Sequence, residues 1–447
     1  MSTRNRFTSR EIFTGEFPER GFDRGESGLP DFGNRGTTSL NGEAGQIPRT
    51  PPPFRILHVI PGLDPARGEA SRAAVEIAAM SAADGMAPTV AFGAPEWSVS
   101  AVEREWTRRY PGVVFRGFPY SFPSRFEASA PLMTWLSGHS RDFDIMQAHS
   151  IYSLMSLQAC SLAASAKLPY ILRPLGSLDP YDLTKQSSVK YHVFAAWVER
   201  ILKGASFVHF AARQEEANVD TFGVNPTRKI LALPVSAPEW AGDRARFRRS
   251  MGIGRQDFVF LFGAQSDSKE GPELLLPAMI QAAVSHSDAH LVIAGLGEDA
   301  FATELKAWAA ETSLADHIHF VSRASFTSGQ AKADVFAGSD CFVLPSRFEN
   351  FGMAAMEAMA YGLPALISDQ VQMWQEIVEA HAGWVYNGSS QSLAAVMEGI
   401  LNDRSQIAIT ASWARTLARK FEPQNLRSIY RAAYQAAAGR VAAENAE

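Results

Sequence analysis

One stretch limits the fold of this chain more than any other: Ser339 to Asp369, SDCFVLPSRFENFGMAAMEAMAYGLPALISD. Cys341 to Leu344 is a short apolar run closed by Pro345-Ser346, the pattern of a buried strand. Gly352 opens an Ala/Met-rich segment of good helix formers, which Gly362-Leu363-Pro364 stops before a second strand begins. Strand, turn, helix, strand is the grammar of an α/β layer around a parallel sheet. In that layer the amides of Phe351, Gly352 and Met353 crown a helix at the carboxyl edge of the sheet. Unpaired N–H groups and the helix dipole both favour an anion there.

Two carboxylates flank that helix start. Glu349 lies in the turn, and Glu357 sits inside an otherwise apolar run, MAAMEAMAYG. A carboxylate among apolar residues must find donors or cost several kcal/mol, and the two hydroxyls of a ribose would supply them. The plainer reading, a capping acid at Glu349 and a surface acid at Glu357, fits the spacing equally well.

Glu349, seven residues, Glu357, with Phe351-Gly352 inside and Gly362-Leu363-Pro364 following, resembles the signature of the retaining GT-B glycosyltransferases of family 4. The resemblance extends over most of the chain from about Phe54. It implies two Rossmann-like, doubly wound α/β domains facing a central cleft. In such proteins the second Glu holds the nucleotide ribose, the first contacts the donor sugar, and the amides between them hold the diphosphate.

Length and composition agree with a two-domain chain. The 447 residues suffice for two cores, and a net charge of −5 gives no global case for nucleic acid. Cys160 and Cys341 lie far apart in apolar segments and read as core thiols of a reduced, cytoplasmic protein. No apolar run reaches the roughly 18 residues of a membrane span, and the opening MSTRNRFTSREIF lacks the apolar run of a secretory leader.

Residues 1–52 are rich in Gly, Arg, Ser and Pro, without hydrophobic periodicity, and are expected to be a disordered tail. The N-terminal domain is expected over 53–236, opening with strand Arg55–Ile60, a Gly/Pro loop, a helix from Ala70 to Ala83 and a strand from Pro88 to Phe92. Relatives of this type carry a glycine-bearing loop here, facing the acceptor and the donor phosphates, so Gly62, Gly68 and Ser71 become candidates; a plain turn is the alternative. A strand over Asp144–Ala148 puts His149 at a strand exit, where it faces the cleft and can reach a sugar hydroxyl; a structural histidine is the alternative. After strand Pro169–Arg173, Arg173 either contacts an anion or forms a salt bridge. The helix over 185–203 carries Val189, Val193, Trp197 and Ile201 beside Lys185, Lys190, Arg200 and Lys203. Such a face either touches an anionic membrane bearing a lipid-linked acceptor or packs on its own domain.

The C-terminal nucleotide-sugar domain is expected over 237–422, with a last helix over 423–447 crossing back to the first domain. Its opening strand Phe258–Phe262 leads to Gly263 and the loop AQSDSKEG, where relatives carry Gly-Arg and Lys-Gly, the two cations gripping the diphosphate. Here Ala264 stands for the Arg and Glu270 for the Lys; Lys269, one position away, is the candidate replacement. Leu175 likewise stands where relatives have the His of an Arg-Pro-His-Gly loop. The implied activity is retaining transfer of a hexose from a nucleotide-diphosphate sugar of unspecified base to a glycan or lipid-linked acceptor, in surface polysaccharide synthesis. No metal and no cofactor are expected beyond the nucleotide-sugar co-substrate. The enzyme would be cytoplasmic, with peripheral contact at the inner membrane face left open. The three departures motivate the alternative, a non-catalytic glycosyltransferase-like subunit that binds a nucleotide or a partner enzyme.

Overall fold

Runs of three to eight residues, most of them rich in Val, Ile, Leu and Phe, build two sheets whose strands are all parallel. The computed structural model describes residues 53–63, 69–121, 127–179, 188–219, 223–263, 271–298, 300–327 and 329–444. The first sheet comprises β1 (Arg55–Ile60), β2 (Ala87–Ala94), β3 (Val114–Pro119), β4 (Ile145–His149), β5 (Tyr170–Arg173), β6 (Phe207–Phe210) and β7 (Arg228–Ile230). The second comprises β8 (Phe258–Gly263), β9 (Ala289–Leu296), β10 (Ile318–Ser322), β11 (Cys341–Leu344), β12 (Ala365–Ser368) and β13 (Gly383–Tyr386). Every residue of β4, β5, β6, β11 and β12 is buried, as expected of parallel strands covered on both faces by helices.

Strand order locates the sites. The first sheet runs β3-β2-β1-β4-β5-β6-β7 and the second β10-β9-β8-β11-β12-β13. Each is wound outward in two directions from its middle, and ligands bind such sheets at the carboxyl ends of the strands where the order reverses. Those strands are β1 and β4 in the first lobe, β8 and β11 in the second. The organising stretch therefore emerges from β11 at the switch point of the second sheet, beside Gly263 at the end of β8. This is the GT-B architecture.

The helix Pro423–Glu444 follows the second sheet in sequence but packs on the first. Tyr434 donates to Gln147 Oε1 (2.6 Å), and Gln147 Nε2 donates to His209 Nδ1 (2.9 Å). His209 in turn donates from Nε2 to the Leu231 carbonyl (2.7 Å), and Tyr430 donates to the Ala232 carbonyl (3.0 Å). All four side chains are buried, so the chain satisfies each polar group it buries there and ties the crossing helix to β4 and β6. The connection near residue 235 is pinned too, by a hydrogen bond from the Val235 amide to the Phe421 carbonyl (2.9 Å).

Three histidines lie in this first lobe without contact with solvent: His58, His149 and His209. Burial pushes the imidazolium pKa of His58 and of His209 down to about 3, and burial followed by His58, Arg173 and His209 keeps His149 well below its usual range. Each is neutral when folded, whereas the unfolded imidazole protonates below about 6.5. Between those values the unfolded chain binds more protons. Stability from these groups is therefore complete above pH 6.5 and falls as the pH drops toward 3, by up to about 1.4 kcal/mol per pH unit for each histidine. The urea midpoint should drop clearly from pH 7 to pH 5; a flat profile over that interval would contradict the assignment.

The helix Ser188–Gly204, expected from 185, packs on its own lobe. Trp197 Nε1 donates to Ser161 Oγ (2.7 Å), and Val198 and Ile201 are buried, so Trp197 and Ile201 do not form a free membrane-facing stripe. Among the described residues no helix is long and apolar enough to cross a membrane. Both cysteine thiols are free and buried.

Candidate functional site

The turn between β11 and the helix Met353–Ala360 is held from both sides. The Glu349 amide donates to the Gln370 carbonyl (3.2 Å), and the Gln372 amide donates to the Glu349 carbonyl (3.0 Å). Phe351 is fully buried edge-on against Phe421, and Met353 is buried as well. Gly352 caps the helix with φ +80°, and a Cβ there would meet Val371 Cγ1 at 2.9 Å. Both the left-handed backbone and the close approach require glycine. Gly352→Val is accordingly expected to destabilise the fold by roughly 1–3 kcal/mol and to weaken any anion binding at the 351–353 amides. A thermal melt and a nucleotide titration of the variant check both.

Glu357 lies about one turn into that helix. Its carboxylate accepts from Arg72 Nη1 on Oε2 (2.9 Å) and from Lys332 Nζ on Oε1 (2.7 Å). Burial raises the carboxyl pKa, but the two cations outweigh it and hold the group at about 2. The donors demanded by an acid in an apolar run are therefore two charged side chains in this structure. Lys332 comes from the helix Gly329–Gly338 of the same lobe, and Arg72 from the helix Glu69–Ala83 of the other. Neither has a local signature; both become visible only once the sheets are assembled.

The lobes meet again around the loop after β5. Asp179 Oδ2 accepts from Gln372 Nε2 and from Asn218 Nδ2 (both 3.2 Å), while Arg213 pairs with Glu376 (3.0 Å) and Glu379 (2.7 Å). A Cβ on Gly176 would stand 3.2 Å from Asn350 and Phe348, so this loop lies directly against the Glu349 turn. Leu175 adopts φ +59°, a left-handed conformation uncommon for a branched side chain.

The remaining candidates divide. Gly62 lies at the end of β1, and its carbonyl accepts from the hydroxyl of Ser71 (3.0 Å), which closes the loop from within. Gly263 ends β8, and a Cβ there would stand 3.3 Å from Phe342 and 3.4 Å from Phe326. Gly68, Lys269, Ala264 and Glu270 lie outside the described residues, as do residues 1–52. His149 requires a correction. It stands at the end of β4, yet its side chain is fully buried with Nε2 at 3.1 Å from His58 Nδ1, so it presents no exposed face to a ligand in this structure. The reason is register: β4 continues through His149, which is paired with Arg173 of β5 and remains inside the sheet. Arg173 is equally buried, at 1% exposure, close enough to His149 and His209 to disfavour their protonation.

Two parallel doubly wound sheets, with a helix N-terminus and two carboxylates at the switch point of the second, define a GT-B architecture. Residues 243–415 match the family described as glycosyl transferases group 1, and residues 68–235 match the glycosyl transferase 4-like domain. The chain belongs to the GT-B glycosyltransferases of group 1. It is similar to an uncharacterized glycosyltransferase of Methanocaldococcus jannaschii, 29% identical over 46% of this chain and 50% of the relative. It also resembles the D-inositol 3-phosphate glycosyltransferase of Stackebrandtia nassauensis, 24% identical over 62% of this chain and 65% of the relative. The matches thus span about half to two thirds of these relatives. Among solved structures, Anabaena HepE in complex with UDP and glucose superposes with a TM-score of 0.67 at 18% identity, covering 86% of this chain and 99% of that one. WaaG, a glycosyltransferase involved in lipopolysaccharide biosynthesis, superposes with 0.58 at 17% identity, covering 84% and 98%.

Proposed function

We propose that this chain transfers a hexose from a nucleotide-diphosphate sugar to a glycan or lipid-linked acceptor, with retention at the anomeric carbon. The observation that carries the reading is Glu357, an ionised acid at a helix start on the switch point of the second sheet, facing the other lobe. Its carboxylate takes the ribose hydroxyls. The amides of Phe351, Gly352 and Met353 take the diphosphate, which leaves as the sugar C1–O bond breaks and the new glycosidic bond forms. Glu349, whose backbone is fixed on both sides, orients the sugar, and Lys269 lends a cation to the leaving group. Gly62 and the start of the helix Glu69–Ala83 border the acceptor.

Both relatives are glycosyltransferases, which supports the reaction class. The part of WaaG in lipopolysaccharide biosynthesis supports a surface polysaccharide product, and the proposal places this enzyme in the cytoplasm at the inner membrane face. We propose in addition that the transfer needs no metal or cofactor, so turnover should be insensitive to a chelator.

Calorimetry with UDP, GDP and ADP, followed by turnover with the sugars of whichever nucleotide binds, tests the reading. One nucleotide should bind well above the others, and product NMR should report a retained anomeric configuration. Binding without turnover on any sugar would favour the second reading, a glycosyltransferase-like subunit, for which Leu175 at the junction is the motivating observation.

A further inference from the structure

The two cations on Glu357 are not equivalent. Lys332 is only 13% exposed, and its ammonium lies 5.6 Å from the ring centre of Phe326 and 6.0 Å from that of Phe336, so it is anchored by aromatic faces as well as by the carboxylate. Arg72 is 37% exposed and reaches across from the other lobe. It also stands in the first turn of its helix, Glu69–Ala83, where the helix dipole disfavours a cation. Helix stability therefore does not explain an arginine at this position. Glu76, one turn along, is already engaged by Tyr110 (3.1 Å) and Ser236 (3.1 Å).

We infer that Arg72 is a specificity-determining residue of the donor site, one that makes binding conditional on the phosphates. The inference rests on the proposed donor reading. In the free protein Arg72 covers Oε2 of Glu357, one of the two oxygens that the ribose hydroxyls need. A ligand that takes that oxygen must displace the guanidinium. Lys332 remains on Oε1 and keeps the carboxylate ionised. The amides at 351–353 lie only about 7 Å further along the helix axis, within the swing of an arginine side chain. A nucleoside diphosphate bound there offers the displaced guanidinium a new anion. An uncharged nucleoside offers none, so it must break the Arg72–Glu357 pair without replacement. Arg72 thus penalises the nucleoside and rewards the diphosphate.

The test compares wild type, Arg72→Met and Arg72→Lys by calorimetry with the nucleoside and the nucleoside diphosphate of the base that wild type prefers. In Arg72→Met, diphosphate affinity should fall about tenfold or more, the size of a lost charge-assisted contact, while nucleoside affinity is unchanged or higher. The diphosphate-to-nucleoside preference then collapses, and Arg72→Lys restores part of it. A purely structural pair would move both ligands together or neither, and that result overturns the inference while leaving the donor site intact. Wild type that binds no nucleotide overturns the donor reading itself, and this inference with it. A thermal melt of each variant confirms folding, which the exposure of Arg72 leads one to expect.

Discussion

Glu357→Gln should bind the preferred nucleotide at least a hundredfold more weakly than wild type. Glutamine keeps the volume and one carbonyl acceptor but loses the ionised second oxygen. The carboxylate is held at about pKa 2 by Arg72 and Lys332 against the cost of burial, so it is charged throughout the neutral range. Hydrogen bonds from ribose hydroxyls to a charged acceptor contribute about 1.5–3 kcal/mol each. Losing the charge under two of them removes about 3 kcal/mol or more, which is the hundredfold. One effect opposes this: Arg72 is released from Oε2 and no longer has to be displaced. That gain is smaller, because in wild type the displaced guanidinium regains an anion on the bound diphosphate. The variant should also melt at lower temperature, since Lys332 is left partly buried without a counter-ion. Undiminished binding by a folded Glu357→Gln would remove the carboxylate from the site.

Much of this arrangement is legible in the chain because Gly and Pro punctuate it. Cys341–Leu344 and Met353–Ala360 fall where the apolar run and the Gly352 and Gly362 stops put them. The β1 strand is read correctly for a similar reason, a continuous apolar run. What escapes the sequence is set by partners remote along the chain. Arg72 lies 285 positions from Glu357, and nothing in EASRAA marks its cation as part of the second lobe's site. His149 looks like a residue past the end of a strand until its pairing with Arg173 extends that strand by one position. Nothing in Arg244–Met251, RARFRRSM, marks Arg248 as the buried member of its charge run. The helix Ala130–His139 and the three-residue β7 carry too few buried apolar residues to announce themselves.

Asp340→Ala tests the most consequential of those hidden contacts and should cost about 3–5 kcal/mol of stability, the usual penalty for leaving a buried charge without its partner. Asp340 immediately precedes β11. Its Oδ2 accepts from Arg248 Nη2 (2.7 Å) and from the Val259 amide (2.8 Å), and its Oδ1 accepts from Arg244 (2.6 Å). Arg248 is 2% exposed and otherwise donates to the carbonyls of Gly338 (2.9 Å), Gly254 (2.8 Å) and Asp257 (2.7 Å). Removing the carboxylate leaves that cation with carbonyl dipoles alone and deprives the Val259 amide of its acceptor. The urea midpoint should fall steeply. Adding Arg248→Met, which deletes the stranded charge, should return part of the loss, so the double variant is less destabilised than the sum of the singles. A near-neutral Asp340→Ala, or strictly additive losses, would show that water or the carbonyls already satisfy Arg248. The same carboxylate joins the starts of β8 and β11, the two strands whose far ends carry Gly263 and the Glu349 turn. Under conditions where Asp340→Ala is still folded, its nucleotide affinity should therefore fall as well, because the switch point that aims the 351–353 amides is no longer fixed at its base.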